Sequence, residues 1–160
     1  MNTQSKITKL EDLKRKVAQQ RRKGKKIAFT NGCFDLLHLG HVSYLQEAKK
    51  ANRILIVGLN SDQSIRKIKG PKRPIVGEKE RAPVLAALAC VDFVIIFREE
   101  TPEKLIKNLR PDILIKGADW KGKNVVGGEF IQSYGGKVEY IKYIPQCSTT
   151  NMIEKIRANY

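Results

Sequence analysis

The sequence is poor in the residues that build disulfide frameworks, metal cages and membrane spans. It holds three cysteines, Cys33, Cys90 and Cys147, an odd number with no Cys-x-x-Cys pair. That suits a reducing compartment and excludes a disulfide scaffold. No apolar run approaches the length of a membrane span, and the polar stretch from Met1 to Lys16 carries no apolar signal core. The expectation is a soluble, cytoplasmic chain with no membrane partner. Aromatic residues are 7% of the chain, and none interleave with the basic clusters as a base-stacking platform requires. Acidic residues are scarce, 16 against 31 Lys and Arg, which leaves a net charge of +15. Such an excess attracts polyanions, whether nucleic acid, an acidic surface or a small phosphorylated substrate. Most of the lysines are scattered and read as a solvated surface, with local densities at Lys14 to Lys26 and Arg66 to Arg73.

Missing motifs narrow the chemistry. No Gly-x-x-x-x-Gly-Lys-Ser/Thr loop is present, which disfavours a P-loop kinase. No Gly-x-Gly-x-x-Gly follows the first apolar run, which disfavours a dinucleotide dehydrogenase. No pair of carboxylates presents itself for general acid–base work. A phosphate monoester is already largely ionised at neutral pH, so as a nucleophile it needs no base. Nucleotidyl transfer to such a group needs positioning and charge neutralisation instead.

What is present is an alternating chain of 160 residues, 41% hydrophobic and 29% charged. A domain of that size buries roughly 70% of its unfolded surface. Ile7, Leu10, Leu13 and Val17 recur at helical spacing, so residues 5–22 read as a leading helix ended by Gly24. Strands are expected at Ile27–Thr30, Arg53–Leu59, Val91–Phe97, Asp112–Ile115 and Lys137–Tyr143. Helices are expected at Gly40–Lys50, Ser61–Ile68, Glu78–Cys90, Pro102–Asn108, Glu129–Tyr134 and Asn151–Ala158. Val84, Leu85, Leu88 and Ala89 read as the buried stripe of the third of these, and Thr101-Pro102 as a cap with proline at the first helical position. The pattern gives an α/β fold, a single doubly wound, parallel five-stranded sheet of Rossmann-like type with an extra N-terminal helix. Residues 1–25 would pack on the domain formed by residues 26–160.

Ligands of such sheets sit beyond the carboxyl ends of the strands, at a topological switch point. Four segments fall there: Asn31 to His41, the basic break Lys67 to Arg73, Lys116 to Trp120, and Cys147 to Thr150. The first organises the rest. Thr30-Asn31-Gly32-Cys33-Phe34-Asp35-Leu36-Leu37-His38-Leu39-Gly40-His41 joins a strand to a helix start and carries both histidines of the chain around a glycine. The first turn of a helix has unpaired N–H groups and a partial positive charge, and glycine lets a phosphate approach them. The same residues admit two other readings. His38 and His41 could be capping residues, or metal ligands with Cys33 and Asp35, although that spacing matches no familiar zinc site. Lys69-Gly70-Pro71-Lys72-Arg73-Pro74 reads either as a solvated loop or as a mobile basic flap over phosphates. Ser148-Thr149-Thr150 reads either as a helix cap or as a second phosphate site. Asp35 reads as a residue bonding the loop backbone rather than a metal ligand.

The block Gly32 to His41 resembles the signature of the cytidylyltransferase-like nucleotidyltransferases, with their HxGH motif, and Ser148-Thr149-Thr150 resembles their C-terminal Ser-Thr motif. Thr30 to Asp35, Asn60-Ser61-Asp62, Lys69-Gly70 with Arg73-Pro74, Val91-Asp92, Lys116 to Trp120 and Cys147 to Asn151 follow the order seen in the D-glycero-β-D-manno-heptose 1-phosphate adenylyltransferase family. That family includes the adenylyltransferase half of bifunctional ADP-heptose synthases. The sugar-kinase half has no counterpart in these residues, so the resemblance implies a stand-alone adenylyltransferase.

The resemblance implies transfer of AMP from ATP to heptose 1-phosphate, giving ADP-heptose and pyrophosphate, for lipopolysaccharide or surface-glycan precursors. It implies that His38 and His41, with Lys69, carry the chemistry. Cys33, Phe34, Gly40, Lys67, Arg81, Ser148, Thr149 and Thr150 would bind the nucleotide; of the two lysines, Lys69 is the better match to the family's residue. Asp35, Asp119 and Trp120 would lie near nucleotide or sugar. Mg²⁺ is expected on the triphosphate through phosphate oxygens and water, with no dedicated protein metal site. The implied partners are ATP and a sugar 1-phosphate, no nucleic acid, and a second copy of the chain at the level of a family expectation. Glycerol-3-phosphate cytidylyltransferase shares the HxGH and a similar Gly-x-Asp-Trp, but Tyr143 and Pro145-Gln146-Cys147 depart from its Arg-Thr-Glu-Gly-Ile-Ser-Thr block. FAD synthetase is a third reading within the superfamily. A basic nucleic-acid-binding protein would explain the charge and leave both histidines without a role.

Overall fold

A computed structural model describes residues 3–142 and 147–159. Five parallel strands form one sheet: β1 (Lys26–Gly32), β2 (Arg53–Asn60), β3 (Phe93–Phe97), β4 (Ile113–Gly117) and β5 (Lys137–Ile141). Their order is β3-β2-β1-β4-β5. The chain therefore runs outward from β1 to one edge, then returns to the other side of β1. The switch point lies between β1 and β4, as a doubly wound sheet requires.

Strand periodicity sends alternate residues to opposite faces. Ile27, Phe29, Ile54, Ile56 and Leu114 face one layer, built with Leu13 and Val17 of α1 (Leu10–Arg22), Leu105, Ile106 and Leu109 of α5 (Glu103–Leu109), and Ile131 of α6 (Gly128–Gln132). Ala28, Leu55, Val57, Leu59, Val94 and Ile115 face the other, with Leu45 and Ala48 of α2 (Leu39–Ala48) and Ala82, Leu85 and Ala86 of α4 (Glu78–Ala87). Burial on both faces explains the unbroken apolar run of β2. Two helices remain, α3 (Asp62–Lys69) after β2 and α7 (Thr149–Asn159) after β5.

Local differences from the sequence expectation have identifiable causes. The leading helix begins at Leu10, not at residue 5. Thr3–Lys6 form a 3₁₀ turn, Ile7 bridges Val94 in parallel, and the Thr8 amide donates to the Val94 carbonyl at 2.9 Å. β3 is an edge strand, and its free backbone groups capture the incoming chain. On α4 the buried face is Arg81, Ala82, Leu85 and Ala86, while Val84 is 48% exposed. Of the expected stripe Leu85 is buried and Leu88 packs against the core, whereas Val84 and Ala89 are exposed, because an inward arginine with polar partners takes part of that face. Pro102 is the residue before α5 rather than its first member, and no side chain caps that helix. Tyr143, Pro145 and Gln146, noted above as departures from the cytidylyltransferase block, lie outside the described residues.

Candidate active site

β1 and β2 pair along their length, from Lys26 with Arg53 to Gly32 with Leu59. β1 and β4 pair only at Ala28 with Ile113 and Phe29 with Leu114. Beyond Phe29 the two central strands part, and a cavity of about 490 Å³ opens at their carboxyl ends. All four segments singled out in the sequence line it, including His38, His41, Lys69, Trp120 and Thr149. Its size suits a nucleotide-scale ligand.

The β1–α2 turn sets its floor. His38 precedes α2 in extended conformation, and its carbonyl accepts from the amides of His41 at 2.9 Å and Val42 at 3.1 Å. Among the described residues no backbone acceptor takes the amides of Leu39 and Gly40, which stay at the open helix end. The imidazoles of His38 and His41 stack with centroids 3.8 Å apart, and Phe34 lies 5.0 Å from the His41 ring. Both Nδ1 atoms are buried without a hydrogen-bond partner among the described residues. Burial, then the neighbouring His38, push the His41 pKa down to about 4, against the pull of the Leu36 carbonyl; burial also lowers that of His38. Both rings are therefore neutral at pH 7. A Cβ on Gly40 would come within 2.9 Å of the Cys147 Cβ and 3.1 Å of His38 Nδ1. Glycine here lets the His38 ring fold back and brings the α7 approach against the α2 start.

Asp35 is 3% exposed and ties this turn to the basic loop. Its carboxylate accepts from Arg73 Nε at 2.6 Å and from the amides of Ile75 at 2.8 Å and Val76 at 2.9 Å. The loop is thus pinned at Arg73, Ile75 and Val76, which answers the expectation of a free flap. Lys69 lines the cavity at its base. Lys67 does not; it lies on the surface, 3.8 Å from Glu100.

Arg81, expected at the nucleotide, is 2% exposed and stands behind the cavity wall. Its guanidinium donates to the carbonyls of Val76 (2.8 Å), Cys33 (2.5 Å) and Asn60 (3.0 Å) and to Asp62 Oδ1 (2.6 Å). Asp62 and Glu78 each accept the other's amide proton, locking the starts of α3 and α4 together. In this geometry Arg81 holds the Cys33 carbonyl in place. The Cys33 thiol is pushed up by burial, against the nearby Lys69, Arg81 and Arg73 charges, and so stays protonated at neutral pH. That makes it a poor nucleophile and metal ligand.

Ser148 performs the capping role, its Oγ accepting from the Asn151 amide at 3.1 Å, and Ser148, Thr149 and Thr150 also line the cavity. Opposite, Asp119 and Trp120 form the wall after β4. Two lining residues escaped the sequence reading of the site. Lys116 at the end of β4 donates to Asn31 Oδ1 at 2.6 Å, with its ammonium 5.4 Å from the Trp120 ring centroid. Both lay within segments already noted, but only the sheet order puts them side by side. Among the described residues no group of three His, Cys, Asp or Glu side chains could hold a metal ion. No helix is long and apolar enough to cross a membrane.

Comparisons with known proteins place the chain in a family. The chain is 54% identical over 156 residues to the bifunctional protein HldE of Syntrophotalea carbinolica and 53% identical to that of Geotalea uraniireducens, in each case over 98% of this chain. It spans about a third of the length of those relatives, 32% in both. The crystal structure of a lipopolysaccharide core biosynthesis protein from Thermoplasma volcanium is 31% identical with a TM-score of 0.61, covering 74% of this chain and 96% of that one. The cytidylyltransferase-like family model matches residues 29–155, from β1 through the start of α7. The chain belongs to the cytidylyltransferase-like family of nucleotidyltransferases.

Proposed function

We propose that this domain transfers AMP from ATP to D-glycero-β-D-manno-heptose 1-phosphate, releasing pyrophosphate and forming ADP-heptose for a surface glycan. The observation that carries the reading is the gathering of His38, His41, Lys69 and the α7 start around one cavity at the β1–β4 fork. The order of sequence blocks, and the similarity to bifunctional HldE proteins and to a lipopolysaccharide core biosynthesis protein, support the choice of acceptor.

The acceptor phosphate is ionised and attacks the α-phosphorus of ATP. A bond forms between an acceptor phosphate oxygen and that phosphorus. The bond from phosphorus to the bridging α–β oxygen breaks, and its electron pair leaves with pyrophosphate. Each step adds negative charge that the site has to meet. As neutral rings, His38 and His41 stack without mutual repulsion, and each keeps a nitrogen, Nδ1, unpartnered among the described residues. The polyphosphate then favours their protonation as charge develops. Lys69 is placed to neutralise phosphate charge. Ser148, Thr149 and Thr150 with the α7 start take the β- and γ-phosphates. Cys33, Phe34 and Gly40 border the nucleotide, and Asp119 and Trp120 the nucleoside or sugar. Mg²⁺ would ride on phosphate oxygens and water, supplying further charge neutralisation. The carboxylate of Asp35 is committed to Arg73 and two amides, so it fits the role of a loop anchor better than that of a ligand.

The test is pyrophosphate release with Mg²⁺, crossing ATP and CTP against heptose 1-phosphate and glycerol 3-phosphate. Release with ATP and the heptose alone is the expected result. Release with CTP and glycerol 3-phosphate would reassign the domain to cytidylyl transfer. No release in any combination would sink both readings.

A further inference from the structure

Lys116 is 8% exposed, yet among the described residues no carboxylate forms an ion pair with it. Among the described residues its ammonium has one hydrogen-bond acceptor, Asn31 Oδ1 at 2.6 Å, and lies 5.4 Å from the centroid of the Trp120 ring. A buried charge is costly unless it is paired and hydrogen-bonded. The residue nonetheless lines the cavity, at the fork where β1 and β4 part. Lysine carries three donors, and Asn31 takes one. The site therefore holds a desolvated cation with spare donors, with Asp119 acting on it without a direct ion pair, opening on a cavity of nucleotide size.

We propose that Lys116 is an anion-binding residue of this site, its ammonium receiving a phosphoryl oxygen of a substrate while Asn31 aims it. The inference rests on the cavity's taking phosphorylated ligands, and adds a cationic contact on the β4 side, across from the histidines. The phosphoryl oxygen comes from either the nucleotide or the acceptor, and the two sources separate by experiment. The groups around Lys116 are Asn31 on β1, Tyr140 beside it in the β5 register, and Asp119 and Trp120 in the turn that follows. Of these only Asp119 is charged; it opposes the burial that lowers the Lys116 pKa to about 8. A bound phosphoryl group would restore the ammonium and move its titration upward.

Trp120 is the sole tryptophan of the chain, so its emission reports this site directly. Emission is followed against pH in the wild type and in Lys116→Met, with no addition, with MgATP, and with a hexose 1-phosphate. The wild type should show an inflection near the Lys116 pKa that Lys116→Met lacks. One of the two ligands should move it up by about a unit or more. Lys116→Met should bind that ligand about tenfold or more weakly, while Lys116→Arg retains part of the affinity. A shift with MgATP assigns the contact to the nucleotide, and a shift with the sugar phosphate assigns it to the acceptor. An inflection that neither ligand moves, or a folded Lys116→Met that binds both within twofold of wild type, overturns the proposal. The readout needs no heptose, so a negative turnover assay with heptose 1-phosphate leaves it standing.

Discussion

The imidazoles of His38 and His41 lie parallel to within 23°, ring over ring, with neither Nδ1 bonded to any described residue. A buried donor or acceptor without a partner costs stability, and a fold tolerates that where function requires it. His41→Ala should lower the rate of pyrophosphate release by about a hundredfold or more, since a contact made to developing charge is lost. The melting temperature should change far less than the rate, because the loss to the fold is confined to the bond with the Leu36 carbonyl and the ring contacts with Phe34 and His38. A variant that turns over normally would remove His41 from the mechanism.

The depressed pKa of His41 also sets a pH dependence of stability. The unfolded chain takes up this proton near pH 6.5, whereas the folded chain resists until about pH 4. Above pH 6.5 neither state is protonated and the group contributes nothing. As pH falls from 6.5 to 4 the unfolded state binds more protons, so stability declines, and below 4 the decline from this group ends. His41→Gln should flatten the denaturation midpoint across that window. Glu139 adds a lower step: Arg53, and then Lys50, hold its pKa down to about 2, so its stabilisation is full above pH 4.5 and lost as pH falls through 2. Urea midpoints at intervals from pH 7 to 3 check both.

Asp35 joins the histidine turn to the basic loop through one carboxylate. Removing the negative charge leaves Arg73 short of its partner at a buried position, where breaking an ion pair costs about 3–5 kcal/mol. Asp35→Asn should therefore lower the melting temperature and raise KM, as the loop that follows Lys69 loosens. Proteolysis within residues 70–76 should be faster than in the wild type. Unchanged cleavage would show that the loop is held by other means.

Gly40→Ala tests the close approach of α2 to the segment leading into α7. Its added Cβ meets Cys147 Cβ and His38 Nδ1. Overpacking of this kind costs about 1–3 kcal/mol, and here it also displaces the His38 ring. The expected result is a drop in kcat larger than the change in KM. Adding Cys147→Gly should recover stability but only part of kcat, because the contact with His38 remains.

The fold was legible because its signals are repeated: apolar strands separated by amphipathic helices force a parallel sheet, and the strand ends then collect the site. The HxGH turn was legible because its residue types are rare in this chain. Arg81 was not, since a sequence does not distinguish an arginine facing a ligand from one bonding three backbone carbonyls. The same blindness turned the buried stripe of α4 toward Val84. Lys116 and Asn31 were missed for a different reason. They lie 85 residues apart, and their contact exists only because β4 returns to the far side of β1. Ser148 shows that two readings can hold together, since it caps its own helix and lines the cavity.

The sheet is stitched least where the ligand would sit. β1 is joined to β2 from end to end, but to β4 only at Ala28 and Phe29. The molecule is thus two wings, β1-β2-β3 and β4-β5, sharing a short seam. A ligand touching Asn31 on one side and Lys116 on the other works as a clasp across that seam. Ligand binding should then slow amide hydrogen exchange in both wings together, including β5 positions far from the phosphates, rather than in the cavity loops alone.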